Sequence, residues 1–191
     1  MNPALLLLVA LSPATPPDPG AAPAPAPASA GPSLHVAALV ESLVHPGLLV
    51  GGELPLLEGD ALRVFVTLEG GGYLHPQSHR ALFATVEGGY RLSLPAGLDV
   101  EALLGAGGIH TWLDGEVYLQ RRGHVVRSAD IGRPGLALAA ALGFGWRSDD
   151  GPLRAFCRTR LLGQYPFDGA LLPRVVIEAG LSFQLPNGEN P

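Results

Sequence analysis

The sequence predicts an all-β fold: an eight-stranded antiparallel transmembrane β-barrel with short periplasmic turns and longer extracellular loops. Three observations lead there. From Leu34 onward, apolar residues recur at every second position, the period of a strand with one apolar face. The chain is 47% hydrophobic and 15% charged, yet it holds no run of the roughly 18 apolar residues that a spanning helix needs. Short connections also alternate with longer ones along the chain, as in barrels with one side of turns and one side of loops.

The segments follow in order. Residues 34–43 and 48–57 are the least regular and carry Glu41 and Glu53 among apolar neighbours. Residues 61–73 oppose Leu62, Val64, Val66 and Leu68 to Arg63, Thr67 and Glu69. Residues 80–94 oppose Leu82, Ala84, Val86, Tyr90 and Leu92 to Thr85, Glu87, Arg91 and Ser93. Residues 98–110 set Leu98, Val100, Ala102 and Leu104 against Asp99 and Glu101. In 136–146, Leu136, Leu138, Ala140, Leu142, Phe144 and Trp146 face away from a row of three alanines and two glycines. Leu153, Ala155, Cys157, Thr159 and Leu161 alternate with Arg154, Arg158, Arg160 and Gln164. The last segment sets Val175, Ile177, Ala179, Leu181, Phe183 and Leu185 against Arg174, Glu178, Gly180, Ser182 and Gln184. Most of these segments reach the 9–11 residues of a tilted membrane strand.

Tight turns are expected at 57–60, 95–97 and 148–151, where Gly, Pro and Asp cluster. Residues 74–79, 111–133 and 165–173 are read as longer connections. Within 111–133, Glu116–Gln120 and His124–Arg127 flank Arg121-Arg122-Gly123 and predict a hairpin too short to cross a bilayer. Residues 1–30 read as a signal peptide and an Ala/Pro-rich leader, with the apolar run Ala4–Leu11 and an A-x-A-like site at Ala28-Ser29-Ala30; residues 31–191 form the barrel domain. The cleavage site is open, with a second candidate near Ala14.

Period 2 does not say which face points inward. A soluble lipocalin-type barrel would turn the apolar face around a ligand. A membrane barrel would turn it to lipid, with Tyr73, Tyr90, Trp112, Trp146, Tyr165 and Phe183 as interfacial aromatics. In the membrane reading the lumen holds Glu41, Glu53, Glu69, Glu87, Asp99, Glu101 and Glu178, answered by Arg63, Arg91, Arg154, Arg158, Arg160 and Arg174. An eight-stranded barrel is just wide enough for side chains to fill. Such near-balanced charges therefore predict a plugged interior.

With these features the chain resembles the small bacterial outer-membrane β-barrel proteins, the eight-stranded, porin-like superfamily. The resemblance spans residues 34–185. It rests on the alternation, on the order of turns and loops, and on the closing strand Arg174–Leu185, which is similar to the C-terminal signal read by the barrel-assembly machinery. Phe183 is followed by Gln184-Leu185 and a polar tail, a departure from members that end on the aromatic. The resemblance implies a bacterial outer-membrane location, lipid and the assembly machinery as partners, and a structural or surface-interaction role. It also carries an enzymatic alternative, since some such barrels modify lipid A as hydrolases or acyltransferases.

No P-loop, G-x-G-x-x-G, H-E-x-x-H or G-x-S-x-G motif occurs. No cofactor is expected. A net charge of −5 without a basic stripe excludes nucleic acid as an expected partner. One cysteine, Cys157, excludes an intramolecular disulfide. His45, His75, His79, His110 and His124 map to the predicted outer loops or strand ends, with Asp114, Glu116, Asp130 and Asp168. From these, His75, Ser78, His79, His110 and Asp114 form the candidate outer-rim site, against a background in which loops collect polar residues. The spacing gives no metal site and leaves the oligomeric state open.

Overall fold

A computed structural model describes residues 31–76, 78–114, 117–121, 124–128, 132–148, 151–167 and 169–186. The leader, Glu116, Asp130 and Asp168 lie outside the described residues. The described residues form ten strands: β1 (Ser33–Glu41), β2 (His45–Glu58), β3 (Leu62–His75), β4 (His79–Ser93), β5 (Leu98–Leu113), β6 (Val117–Arg121), β7 (His124–Ser128), β8 (Arg133–Arg147), β9 (Leu153–Phe167) and β10 (Ala170–Gln184). Eight of them close into an antiparallel barrel in the order β1-β10-β9-β8-β5-β4-β3-β2, while β6 and β7 pair as a separate two-stranded sheet. The predicted hairpin thus sits on the β5–β8 connection and adds no strand to the barrel.

Closure comes from β1 against β10, from Ser33 opposite Gln184 to Glu41 opposite Val176. Both ends of the described barrel therefore lie on one side, with the turns after β2, β4 and β8. On that side Pro95–Gly97 makes a single 3-10 turn, with Ala96 at φ 64 and Gly97 at φ 72, the left-handed geometry of a tight reversal.

The opposite rim differs from expectation in one respect. Strand continues into both 74–79 and 165–173: β3 runs to His75 and β4 starts at His79, which pair with each other, and most described residues of 165–173 belong to β9 or β10. The long outer connection is the one between β5 and β8. A strand of 15 residues, such as β4, spans roughly 36 Å at a tilt near 45°. That exceeds the ~30 Å hydrocarbon layer. The ladder continues past it because pairing still satisfies the backbone.

The inward-outward question is decided by exposure. Leu104 is 72%, Leu142 70% and Leu48 66% exposed, whereas Glu87, Glu178 and Arg160 are fully enclosed. The apolar face is outside and the charged face inside, the reverse of a soluble ligand-binding barrel. Such an exterior belongs in lipid, where a closed barrel is one of the two folds that leave no backbone group unpaired. Tyr90, Trp146, Tyr165 and Phe183 stand outward near strand ends. Tyr73 does not: it is 1% exposed and points into the lumen, so it is no part of an interfacial belt.

The interior is layered. Along β1 the inward positions run His35, then Ala37 and Leu39, then Glu41; along β3 they run Glu69, Gly71, Tyr73, His75; along β10 they run Glu178, Val176, Arg174. In each, a small or apolar layer separates a central polar set from a polar rim. Leu39, Leu49, Phe83, Ile109, Leu162 and Val176 belong to that apolar layer, one continuous buried cluster.

Candidate functional site

Every residue of the expected lumen set faces the interior, and the structure divides the set in two. The larger part is one continuous ion network. Arg91 grips Glu53 with both terminal nitrogens at 2.6 and 3.0 Å, and reaches Glu101 at 2.8 Å. Arg158 joins Glu101 (2.6 Å) to Glu69 (2.7 Å). Arg160 uses its three nitrogens on three carboxylates: Glu178 at 2.5 Å, Glu87 and Glu69. Arg154 binds Asp99 and also Glu101, the latter at 3.0 Å. Arg63 ties Glu53 (3.2 Å) to Glu58 (2.6 Å) at the terminal end. Residues up to 91 positions apart in sequence meet here, from strands on opposite walls.

His35 belongs to this network and was absent from the sequence-based set. Its Nε2 lies 3.1 Å from Glu69, and its ring packs edge-on against Phe156. The signal was available: His35 shares the odd parity of Glu41 on the same strand. Aromatic faces cover the guanidinium groups, with Arg158 4.4 Å from the Phe156 ring and Arg91 4.7 Å from Phe65.

The smaller part forms the rim opposite the termini. Glu41 and Arg174, expected in the lumen network, pair with each other here at 3.3 Å, beyond the apolar layer. His45 Nδ1 lies 2.6 Å from Glu41 and Ser42 donates to the same carboxylate at 2.7 Å. The His45 ring stacks on His75 at 3.6 Å, and His75 lies 4.9 Å from His79. Of the candidate outer-rim residues, His75 and His79 are thus brought together, with His45 joining them. Asp114 attaches by its backbone, donating to the Ser78 carbonyl at 2.8 Å. His110 does not join. It shares the parity of Leu104 and Trp112, faces outward, and packs on Trp112 at 4.3 Å. No described group of three or more His, Cys, Asp or Glu residues is arranged to hold a metal ion.

The protonation of His79 follows from its partners. Arg174 donates to its Nε2 at 3.1 Å, since a guanidinium has no acceptor. The ring proton then sits on Nδ1 and is donated to Ser78 Oγ at 3.0 Å. An imidazole in this tautomer gives Ser78 a hydrogen bond and cannot take its proton, the reverse of what an activated nucleophile requires. Burial, reinforced by the Arg174 charge, holds the His79 ring below the usual histidine pKa and keeps it neutral.

No protein-family model matches the chain. No curated protein matches its sequence. Solved structures do match. The crystal structure of Neisserial surface protein A superposes with a TM-score of 0.53 at 10% identity, covering 81% of this chain and 94% of that one. Ail, the attachment invasion locus protein of Yersinia pestis, superposes with a TM-score of 0.51 at 12% identity, covering 82% of this chain and 99% of that one. The chain has the fold of the small eight-stranded outer-membrane β-barrels. At such identities the likeness is one of fold. The chemistry of this barrel is its own: a carboxylate–arginine core, an apolar layer above it, and a histidine-lined rim.

Proposed function

We propose that this chain is a non-conducting barrel of the bacterial outer membrane, with a structural or surface-interaction role and its lumen closed by the carboxylate–arginine network. The observation that carries this reading is the row Arg154, Arg158 and Arg160 on β9, each at most 2% exposed and each bonded to carboxylates of other strands. An ion path would have to break these contacts, each a charge-assisted hydrogen bond in a low-dielectric interior. With the chain ends on the periplasmic side, the histidine rim and the β6–β7 hairpin face outward, as suits contact with surroundings. The two structural neighbours are described as a surface protein and an attachment and invasion protein, which agrees with display at the surface.

The test has two parts. Membrane fractionation with a heat-modifiable gel shift checks insertion as a barrel. Planar-bilayer recording of the purified protein then checks the plug. The expected result is a barrel in the outer-membrane fraction with no stable conductance. A large, long-lived conductance from the wild-type protein refutes the closed lumen. The lipid hydrolase or acyltransferase alternative finds no support at Ser78, because His79 is committed as a donor toward it.

A further inference from the structure

The exterior of the barrel is not uniform. On β2, β3, β4 and β5, near the histidine rim, the wall is indented by an apolar groove of about 1100 Å³. Its outward floor is Gly70 and Gly72, and its sides are Leu48, Val50 and Leu82. Arg80 and Trp112 stand side by side at its upper edge, directly paired across β4 and β5.

Arg80 sets this place apart. Along the described residues of the eight barrel strands it is the one Arg, Asp or Glu side chain that the register turns outward. It is exposed, and no described side chain pairs with it. Along β4 it stands ten residues from Tyr90, which is roughly 24 Å at a 45° tilt. The apolar band of such barrels is about 25 Å tall, so Arg80 and Tyr90 mark its two edges. An unpaired guanidinium at the edge of the hydrocarbon, beside an interfacial tryptophan and above a glycine-floored channel, is complementary to an acyl chain that ends in a phosphate.

We infer that this groove is a specific seat for a phosphorylated, multi-acyl lipid of the outer leaflet, lipid A: one acyl chain lies over Gly70 and Gly72, and a headgroup phosphate is bound by Arg80. The inference rests on the outer-membrane reading, which places this rim at the outer leaflet. The groove is comparable in volume with ordinary ligand sites, roughly 300–1,000 Å³. Arginine suits the ligand because its planar fork meets two phosphate oxygens at once.

The experiment is native mass spectrometry of the purified, folded protein in detergent micelles. The probes are diphosphoryl lipid A, the same lipid with its phosphates removed, and phosphatidylglycerol. Three variants accompany the wild type. Arg80→Gln removes the charge. Gly70→Leu fills the groove, and at this position an added Cβ meets nothing closer than the Phe83 carbonyl at 3.9 Å. Gly88→Leu is the control, an outward glycine outside the groove with open space around it. A heat-modifiable shift on every variant verifies that the barrel is intact. Loss of that shift in the wild type would count against the membrane reading itself rather than against the groove.

The expected result is retention of diphosphoryl lipid A by wild type and Gly88→Leu, reduced about tenfold by Arg80→Gln, the scale of one hydrogen bond to a charged group. Gly70→Leu should reduce it similarly, and dephosphorylated lipid should bind wild type no better than diphosphoryl lipid A binds Arg80→Gln. Equal retention across all variants, or an equal loss in Gly88→Leu, overturns the site. Equal retention of phosphatidylglycerol by wild type overturns its assignment to lipid A.

Discussion

Replacing Arg160 with leucine removes a guanidinium that holds three carboxylates, and the structure shows which of them are left alone. Glu69 keeps Arg158 at 2.7 Å and His35 at 3.1 Å. Glu178 keeps Arg158 at 4.0 Å, beyond hydrogen-bond range. Glu87 keeps the hydroxyl of Thr85 at 2.7 Å and no cation within ion-pair distance among the described residues. Two enclosed carboxylates thus lose their close cation. Breaking a buried pair costs about 3–5 kcal/mol through the uncompensated charge, and Arg160→Leu should fall at or above the top of that range. Arg158→Leu looks equally severe from sequence. Its partners are doubly held, however: Glu101 retains Arg91 at 2.8 Å and Arg154 at 3.0 Å, and Glu69 retains Arg160 and His35. Its cost should therefore be smaller, about 1–3 kcal/mol, the scale of lost hydrogen bonds to charged groups. The assay is equilibrium urea unfolding in detergent micelles, with Glu87→Gln added to Arg160→Leu to neutralise the stranded group. Partial restoration by the added change is expected. Costs for the two arginines within about 0.5 kcal/mol of each other, the usual error of additivity, would refute the reasoning, as would no gain from Glu87→Gln.

Two further outcomes follow. The neutral His79 has a folded pKa below its unfolded value, so its contribution is intact above about pH 6.5 and is lost as pH falls below that, when the unfolded chain takes up a proton that the folded one resists. Lowering the pH from 7.5 to 5.5 should reduce the temperature of the heat-modifiable transition, and His79→Gln should flatten that dependence; an unchanged slope in the variant would refute the assignment to His79. Cys157 shares the outward parity of Leu153 and Leu161 on β9, and in vesicles it should react with an apolar maleimide while remaining unmodified by a charged one. Fast reaction with the charged reagent would contradict a lipid-facing position.

The strand set and its handling of charge were legible because period 2 records parity directly: one face of the barrel strands is mainly apolar, with Arg80 its outward charge, and every acid and arginine on the other face went inside. Parity could also have placed three residues that composition-minded reading misplaced or passed over. Tyr73 is in step with Glu69 and Arg63, so it points inward. His110 is in step with Leu104, so it points outward, away from His75 and His79. His35 is in step with Glu41. What alternation does not encode is distance across the barrel. Arg158 and Glu69 meet from positions 89 apart, through closure and stagger, quantities that belong to the whole ring. Strand ends were also hidden. Residues such as Leu74 and His75 resemble a loop by composition, but rim stacking among His45, His75 and His79 gives the ladder a reason to continue.

Glycine at certain inward positions and arginine as the lumen's cation fit together in the barrel interior. The wall of a narrow barrel offers no free volume, so a large inward side chain requires a missing one beside it. Gly143 stands opposite Arg158, and a Cβ there would lie 2.7 Å from Arg158 Cγ and 3.2 Å from the Glu101 carboxylate. A Cβ at Gly145 would meet the Arg154 guanidinium, and one at Gly89 would come within 2.6 Å of the Phe65 ring over which Arg91 lies. The room made in this way is flat and forked, because each guanidinium must reach two or three carboxylates on different strands at once. Lysine supplies a single point of charge on a flexible stem and could not hold Glu69, Glu87 and Glu178 together as Arg160 does. The alanine and glycine row on β8 is therefore the counterpart of the arginines on β9, and the two strands are complementary in shape before they are complementary in charge.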